Sequence, residues 1–304
     1  MSSISNDSIS TCANCGKGGE GDNDIKLKTC TACKLVKYCS RECQVAHRPQ
    51  HKRECKKHAA ELHDEVLFKQ PPQEEDCPIC YLQLPAIETG FRFMSCCGKV
   101  VCSGCIHAVQ IRSRGIGLCA FCRTPTPSSE KEMLIRGNKR VDLGDAQAIF
   151  ILGCMYDRGL YGLPQDSNKA FELWHQAGEL GSAMAYASVG CTYHEGTGVE
   201  KDTKKAIHYW ELAAMGGDAR ARHFLGNYEH NKGNMDRALK HWIISVGGGY
   251  VDSLKHINRL FIIGRATKDD YEKALRAHKA YLDEIKSDQR DIAATFSDKF
   301  KYYY

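Results

Sequence analysis

CANCGKGGEGDNDIKLKTCTACKLVKYCSRECQVAHRPQHKREC, residues 12–55, contains seven cysteines that form four pairs with His51: Cys12 and Cys15, Cys30 and Cys33, Cys39 and Cys43, His51 and Cys55. A C-x-x-C knuckle turns two sulfurs onto one ion. The C-x-x-x-C and H-x-x-x-C spacings set ligands one helical turn apart and predict a helix from Ser40 onward. Eight such ligands serve two tetrahedral zinc ions. So short a segment has little apolar core, and metal binding of roughly 10–16 kcal/mol per structural site would dominate its folding. The run GKGGEG at 16–21 lacks the GK[ST] ending and a preceding strand, so it reads as a loop between knuckles and not as a phosphate cradle.

Outward from this segment, cysteine stays concentrated: 15 of the 17 in the 304-residue chain lie between Cys12 and Cys122. Paired thiols without a secretory leader read as metal ligands in a reducing compartment. The opening MSSISNDSIS has no basic or apolar stretch, and nowhere do 18 apolar residues run together. The expectation is an intracellular protein, cytoplasmic or nuclear, with no membrane segment. Fifteen thiolates and four zinc ions turn the formal +5 into about −2, which argues against a nucleic-acid partner. Lys26, Lys28, Lys34, Lys37, Lys52 and Lys57 then read as charges beside thiolates.

The first segment resembles the MYND finger, above all in YCSRECQ at 38–44 and HKREC at 51–55. That resemblance implies interleaved sites, Cys12, Cys15, Cys39 and Cys43 on one zinc and Cys30, Cys33, His51 and Cys55 on the other. It also implies a peptide-binding role for Gln44. The family's Trp four residues later is Arg48 here, which removes an apolar platform for a proline peptide; Gln44 reads equally as an exposed helix residue. Residues 56–69 are expected to extend the helix, and Pro71, Pro72, Glu74, Glu75 and Asp76 to end it.

A second set of eight follows: Cys77 and Cys80, Cys96 and Cys97, Cys102 and Cys105, Cys119 and Cys122. CPIC, CCGKVVCSGC and LCAFCRTP resemble a RING domain of the eight-cysteine kind, since the usual histidine position holds Lys99, which cannot ligate zinc. The resemblance implies Cys77, Cys80, Cys102 and Cys105 on one ion and Cys96, Cys97, Cys119 and Cys122 on the other. Closed four-sulfur cages leave no position for activated water. It further implies docking of a ubiquitin-conjugating enzyme on Ile79 and Val109, with Arg123 hydrogen-bonding both ubiquitin and the enzyme. Ala120 stands where a proline is usual. On the opposite reading, Ile79 and Val109 pack the small core and Arg123 is a solvated charge.

C-terminal to these, ILGCMYDRGLYGLPQDSNKAFELWHQAGELG, SVGCTYHEGTGVEKDTKKAIHYWELAAMGG and FLGNYEHNKGNMDRALKHWIISVGGG repeat one pattern. Gly153, Gly190 and Gly226 recur, as do Trp174, Trp210 and Trp242. Ala170, Leu173, Trp174 and Ala177 follow i, i+3, i+4, i+7 spacing, so each unit is a helical hairpin with tryptophan inside. Gly181, Gly217 and Gly249 suit left-handed caps. Cys154 and Cys191 occupy equivalent positions and read as buried packing residues, outside any metal site. The pattern resembles Sel-one-like repeats, relatives of the tetratricopeptide repeat, whose arrays present a concave surface to protein partners.

The expected fold is therefore multidomain: two small zinc-stabilised cross-brace modules (α+β), then an all-α solenoid of helical-hairpin repeats. The boundaries are a disordered N-terminus at 1–11, the first module at 12–55, helix and linker at 56–76, the second module at 77–126, a linker at 127–144, about three repeats at 145–249 and capping helices at 250–304. No triad or paired-carboxylate site supports another enzyme. The resemblances imply a zinc-binding interaction protein, a RING-type ubiquitin ligase recruiting substrates through its repeats. The alternative is a non-enzymatic scaffold.

Overall fold

The computed structural model describes residues 11–18, 25–69, 76–86 and 88–303. The expected disordered tail before residue 11, the end of the 16–21 loop, and Pro71, Pro72, Glu74 and Glu75 lie outside them. The chain divides into two compact units, Met1–Lys69 and Gln70–Tyr304.

In the first unit, β1 (Lys28–Thr29) pairs antiparallel with β2 (Lys37–Tyr38), Lys28 opposite Tyr38. Helix α1 (Arg41–Leu67) then runs for 27 residues. Ser40 starts it, its hydroxyl accepting from the Cys43 N–H at 3.3 Å. The core is small and made largely of ligands: Cys12, Cys30, Cys33 and Tyr38 are buried together.

In the second unit, β3 (Phe91–Met94) and β4 (Lys99–Cys102) form an antiparallel hairpin with Phe91 opposite Cys102. Helix α2 (Ser103–Arg112) follows directly. The segment expected as a linker contains α3 (Glu130–Asp142), capped by Ser129. Arg140 binds Asp145 at 2.7 Å, and this ion pair lies against Gly98 of the hairpin turn, where a Cβ would meet the Asp145 carboxylate at 2.6 Å. The zinc module and the repeats thus meet through close packing.

The hairpin repeats are α4 (Ala146–Arg158) with α5 (Ser167–Glu179), α6 (Ala183–Glu195) with α7 (Thr203–Met215), and α8 (Ala219–Asn231) with α9 (Met235–Gly247). Asp145, Asp166, Ser182, Asp202 and Asp218 cap five of the six N-termini through side-chain oxygens. Trp174, Trp210 and Trp242 are buried, each against the glycine of its partner helix. A Cβ at Gly153, Gly190 or Gly226 would lie 2.5–2.7 Å from the indole nitrogen. Glycine is thus required for a close approach rather than a turn. Gly181, Gly217 and Gly249 have φ of +97°, +99° and +83°, as left-handed caps require. Cys154 and Cys191 are half-buried, more open than their packing role implies.

Helices α10 (Val251–Ile262) and α11 (Lys268–Ile285) extend the stack, with Ile257, Leu260 and Ala274 joining the Trp242 core. The capping role expected of 250–304 stops there. After Lys286, whose backbone is extended, Ser287 starts α12 (Asp288–Phe296). This helix leaves the array and packs on α2, where Ala293 and Phe300 enter the core of the zinc module beside Val101, Cys105 and Ile106.

Candidate zinc centres

Four of the five C-x-x-C pairs are knuckles that start the same backbone motif; the fifth, Cys102 and Cys105, spans the first turn of α2. In each knuckle the residue after the second cysteine takes a left-handed conformation: Gly16 (φ +72°), Lys34 (+58°), Tyr81 (+56°) and Arg123 (+63°). That residue's N–H bonds the carbonyl of the first cysteine, at 2.9 Å for Gly16, 2.9 Å for Lys34, 2.8 Å for Tyr81 and 3.0 Å for Arg123. Three of the four are not glycine, and each such residue costs roughly 1–2 kcal/mol. The strain recurs at equivalent places in all four knuckles because it turns both thiols toward one point.

Four tetrads result: Cys12, Cys15, Cys39 and Cys43; Cys30, Cys33, His51 and Cys55; Cys77, Cys80, Cys102 and Cys105; Cys96, Cys97, Cys119 and Cys122. Within each, all ligand atoms lie within 4.8 Å of one another. A tetrahedron with Zn–S bonds of about 2.3 Å has edges of about 3.8 Å. Sulfur pairs fall close to that edge: Cys15–Cys39 at 3.5 Å, Cys30–Cys55 at 3.8 Å, Cys80–Cys102 at 3.7 Å, Cys97–Cys119 at 3.8 Å and Cys96–Cys122 at 3.4 Å. His51 Nε2 is 3.2 Å from Cys33 Sγ. The donor sets suit zinc, and the ligand pairs interleave in both modules. Adjacent Cys96 and Cys97 reach one tetrad because the hairpin turn winds them tightly: the N–H groups of Cys97 and Gly98 both bond Met94 O, at 3.1 and 2.8 Å.

Electrostatics point the same way. Burial raises Cys12 and Cys30, yet knuckle N–H groups hold each at about 6: those of Cys15, Cys39 and Asn14 for Cys12, and those of Cys33 and Ala32, with the His51 ring, for Cys30. Cys122 is lowered to about 6, chiefly by the Thr124 hydroxyl. Other members of the same tetrads are pushed up, Cys39 to about 12 by its contacts with Cys15 and Cys12, and Cys55 to about 11 by burial and its neighbours Cys33 and Cys30. One thiolate forms readily in such a cluster and the next is opposed by its charge. A divalent cation removes that opposition.

Supporting contacts that sequence reasoning missed surround the first module. His58 Nδ1 donates to Cys33 O at 2.8 Å, tying α1 to a knuckle. Tyr38 hydroxyl and His47 Nδ1 are 3.1 Å apart, and the His47 ring stacks on His51 with centroids 5.7 Å apart. His58 and His47 were legible only as helix residues one turn from a ligand.

The partner-binding candidates are distributed unevenly. Gln44 and Arg48 are exposed on α1. Ile79 is 36% exposed and Arg123 is exposed, whereas Val109 is 7% exposed and packs in the module core. Phe121, in the last knuckle, is 43% exposed and carries an apolar surface beside Arg123 that sequence reasoning had not singled out. On α2, Gly104, His107, Ala108 and Ile111 face α12. At about 100° per residue, Val109 lies on nearly the opposite side of that helix.

Comparison with known proteins gives a MYND finger over residues 12–55 and Sel1 repeats over 146–182 and 183–218. Chitin synthase regulatory factor 3 of Schizosaccharomyces pombe is 34% identical over 68 residues, 22% of this chain and 7% of that protein. Chitin synthase regulatory factor 4 of the same yeast is 25% identical over 132 residues, 43% of this chain and 21% of that protein. The matches therefore span under a quarter of these relatives' length. Among solved structures, a Sel1 repeat protein from Oxalobacter formigenes superposes with a TM-score of 0.46 at 23% identity, covering 66% of this chain and 80% of that one. The chain thus joins a MYND finger and further zinc-binding cysteine clusters to a Sel1 repeat array, and no helix among the described residues is long and apolar enough to cross a membrane.

Proposed function

We propose that the chain is a protein-interaction scaffold whose 77–126 module is a RING-type cross-brace that docks a ubiquitin-conjugating enzyme, while the repeat array recruits the protein to be modified. The observation that carries this reading is the interleaving of the two tetrads between residues 77 and 122. It is the ligand order of a cross-brace, and it brings the first and last knuckles to one module with Ile79, Phe121 and Arg123 at its surface.

Chemistry in such a complex belongs to the thioester of the conjugating enzyme. This chain would contribute position: apolar contact through Ile79 and Phe121, and a forked guanidinium from Arg123, which is exposed directly after the last knuckle. Helix α12 packs on the Gly104, His107, Ala108 and Ile111 face of α2, while Ile79, Phe121 and Arg123 stay exposed. The repeats supply area for a protein partner.

Autoubiquitination by the zinc-loaded full chain with a panel of conjugating enzymes tests the reading. Activity in wild type, reduced on the order of tenfold or more by Ile79→Ala and by Arg123→Ala, is the expected result. No chain formation with any member would sink it. A second reading, a scaffold in which all three modules bind proteins without ubiquitin transfer, draws on the burial of Val109. The names of the yeast relatives, chitin synthase regulatory factors, fit that reading as well. Capture of partners by a chain inactive with every conjugating enzyme would favour it.

A further inference from the structure

We infer that Arg290, on the C-terminal helix α12, is an outer-sphere residue of the Cys77, Cys80, Cys102 and Cys105 zinc site, and that this one site is completed only by residues 287–303. Arg290 is 0% exposed. Its Nη1 donates to Gln83 O at 2.8 Å and to Ile285 O at 2.7 Å. Its Nη2 donates to Leu82 O at 3.3 Å and points at Cys80 Sγ from 3.8 Å. Leu82 O also accepts from the Cys77 N–H at 2.9 Å, so the guanidinium clasps the loop that closes the first knuckle.

Charge explains why an arginine is held there. Among the described residues no carboxylate is among its hydrogen-bond partners. A guanidinium buried without a counter-charge is strongly disfavoured. Four thiolates around one zinc ion carry a net charge of −2, and that cage is the negative group the guanidinium touches. Arginine in turn restrains the Cys80 knuckle, as outer-shell partners of metal ligands do.

The surrounding segment is built to deliver this side chain. Gln289 Nε2 donates to Gly104 O at 3.1 Å, Ser103 hydroxyl to Phe300 O at 3.1 Å, and Thr89 hydroxyl to Lys301 O at 2.7 Å. Tyr302 hydroxyl donates to Asp291. Gly104, next to the ligand Cys105, admits the helix: a Cβ there would lie 3.0 Å from Arg290 N and 3.1 Å from its Cα.

The zinc-loaded full chain, challenged with a chelator and an alkylating reagent, tests the assignment when labelling of each cysteine is followed by peptide mass spectrometry. In Arg290→Met, Cys77, Cys80, Cys102 and Cys105 should become reactive on the order of 10- to 100-fold faster than in wild type. Cys96, Cys97, Cys119 and Cys122 should keep wild-type rates, and Arg290→Lys should fall between. Gly104→Ala retains the guanidinium but displaces its helix, and it should expose the same four thiols. Wild-type rates at those four in either Arg290→Met or Gly104→Ala would overturn the inference. So would simultaneous opening of both tetrads of the module, which would mark Arg290 as a general prop.

Discussion

Substituting Gly190 by alanine sets two opposing effects against each other. Gly190 lies inside α6, where alanine is intrinsically better than glycine by about 1 kcal/mol. Its Cβ, however, would lie 2.6 Å from Trp210 Nε1, nearer still to Cδ1, and 3.1 Å from the Ala206 carbonyl. Trp210 is 3% exposed, and neither a packed indole nor a helix carbonyl yields as the end of a flexible side chain would. Overpacking of this kind costs about 1–3 kcal/mol, and the upper end applies. The net change is a loss of about 2 kcal/mol. Gly137→Ala is the control: Gly137 lies inside α3 and a Cβ there meets nothing within 4 Å, so the propensity gain of about 1 kcal/mol stands alone. All three tryptophans lie in the array, so fluorescence excited selectively at tryptophan reports its unfolding on heating without contribution from the tyrosines of the zinc modules. For a unit of this size, Gly190→Ala should lower Tm by about 4–8 °C and Gly137→Ala should raise it by about 2–4 °C. A Gly190→Ala chain melting at or above wild type would refute the close-approach argument for all three repeat glycines.

Arg222 occupies the position equivalent to the core residue Ile149; it is 1% exposed, with Nε, Nη1 and Nη2 unpartnered and its pKa lowered to about 10 by burial. Arg222→Met should therefore raise the urea midpoint, with a gain of about 1–3 kcal/mol; a loss would show that the charge has a partner in solution. Burial holds His241 at about 3 and His223 at about 4, below the ordinary value of about 6.5. Between about pH 6.5 and pH 4 the unfolded chain binds protons that the native array does not, so stability is full above that window and falls as pH drops through it. The slope reaches about 1.4 kcal/mol per pH unit for each group, and His241→Gln should flatten it by one group's share; an unchanged slope would assign the pH dependence elsewhere. Metal analysis should give about four zinc ions per chain, and Cys96→Ser should reduce it, since Cys96 Sγ lies 3.4 Å from Cys122 Sγ in its tetrad. Unchanged metal content would mean that this site takes its fourth ligand from another residue.

The sequence by itself determined what local spacing determines. Knuckle pairs, the turn-spaced ligands of α1 and the glycine–tryptophan register of the repeats are each fixed by residues within about forty positions of one another. Their chemistry allows few alternatives: a thiol pair three residues apart calls for an ion, and a tryptophan recurring with a glycine calls for a packed hairpin. The helix α3 escaped this reading because its four apolar residues, Met133, Leu134, Ile135 and Val141, stand among charges without a full helical stripe, and contact with α4 gives the helix something to cover.

Tertiary structure alone decided what depends on distant segments meeting. Left-handed backbone at Lys34, Tyr81 and Arg123 carries no signal in those residue types, because strain at each is imposed by the pair of thiols before it. Val109 has the spacing of a docking residue, but its exposure depends on how α2 settles on the module core, and it settles inward. Arg290 reads in the sequence as one charge among many on a C-terminal helix. Its burial beside Cys80, 210 positions away, follows from the chain leaving the solenoid at Lys286, and no local pattern encodes the partner a segment finds at that range.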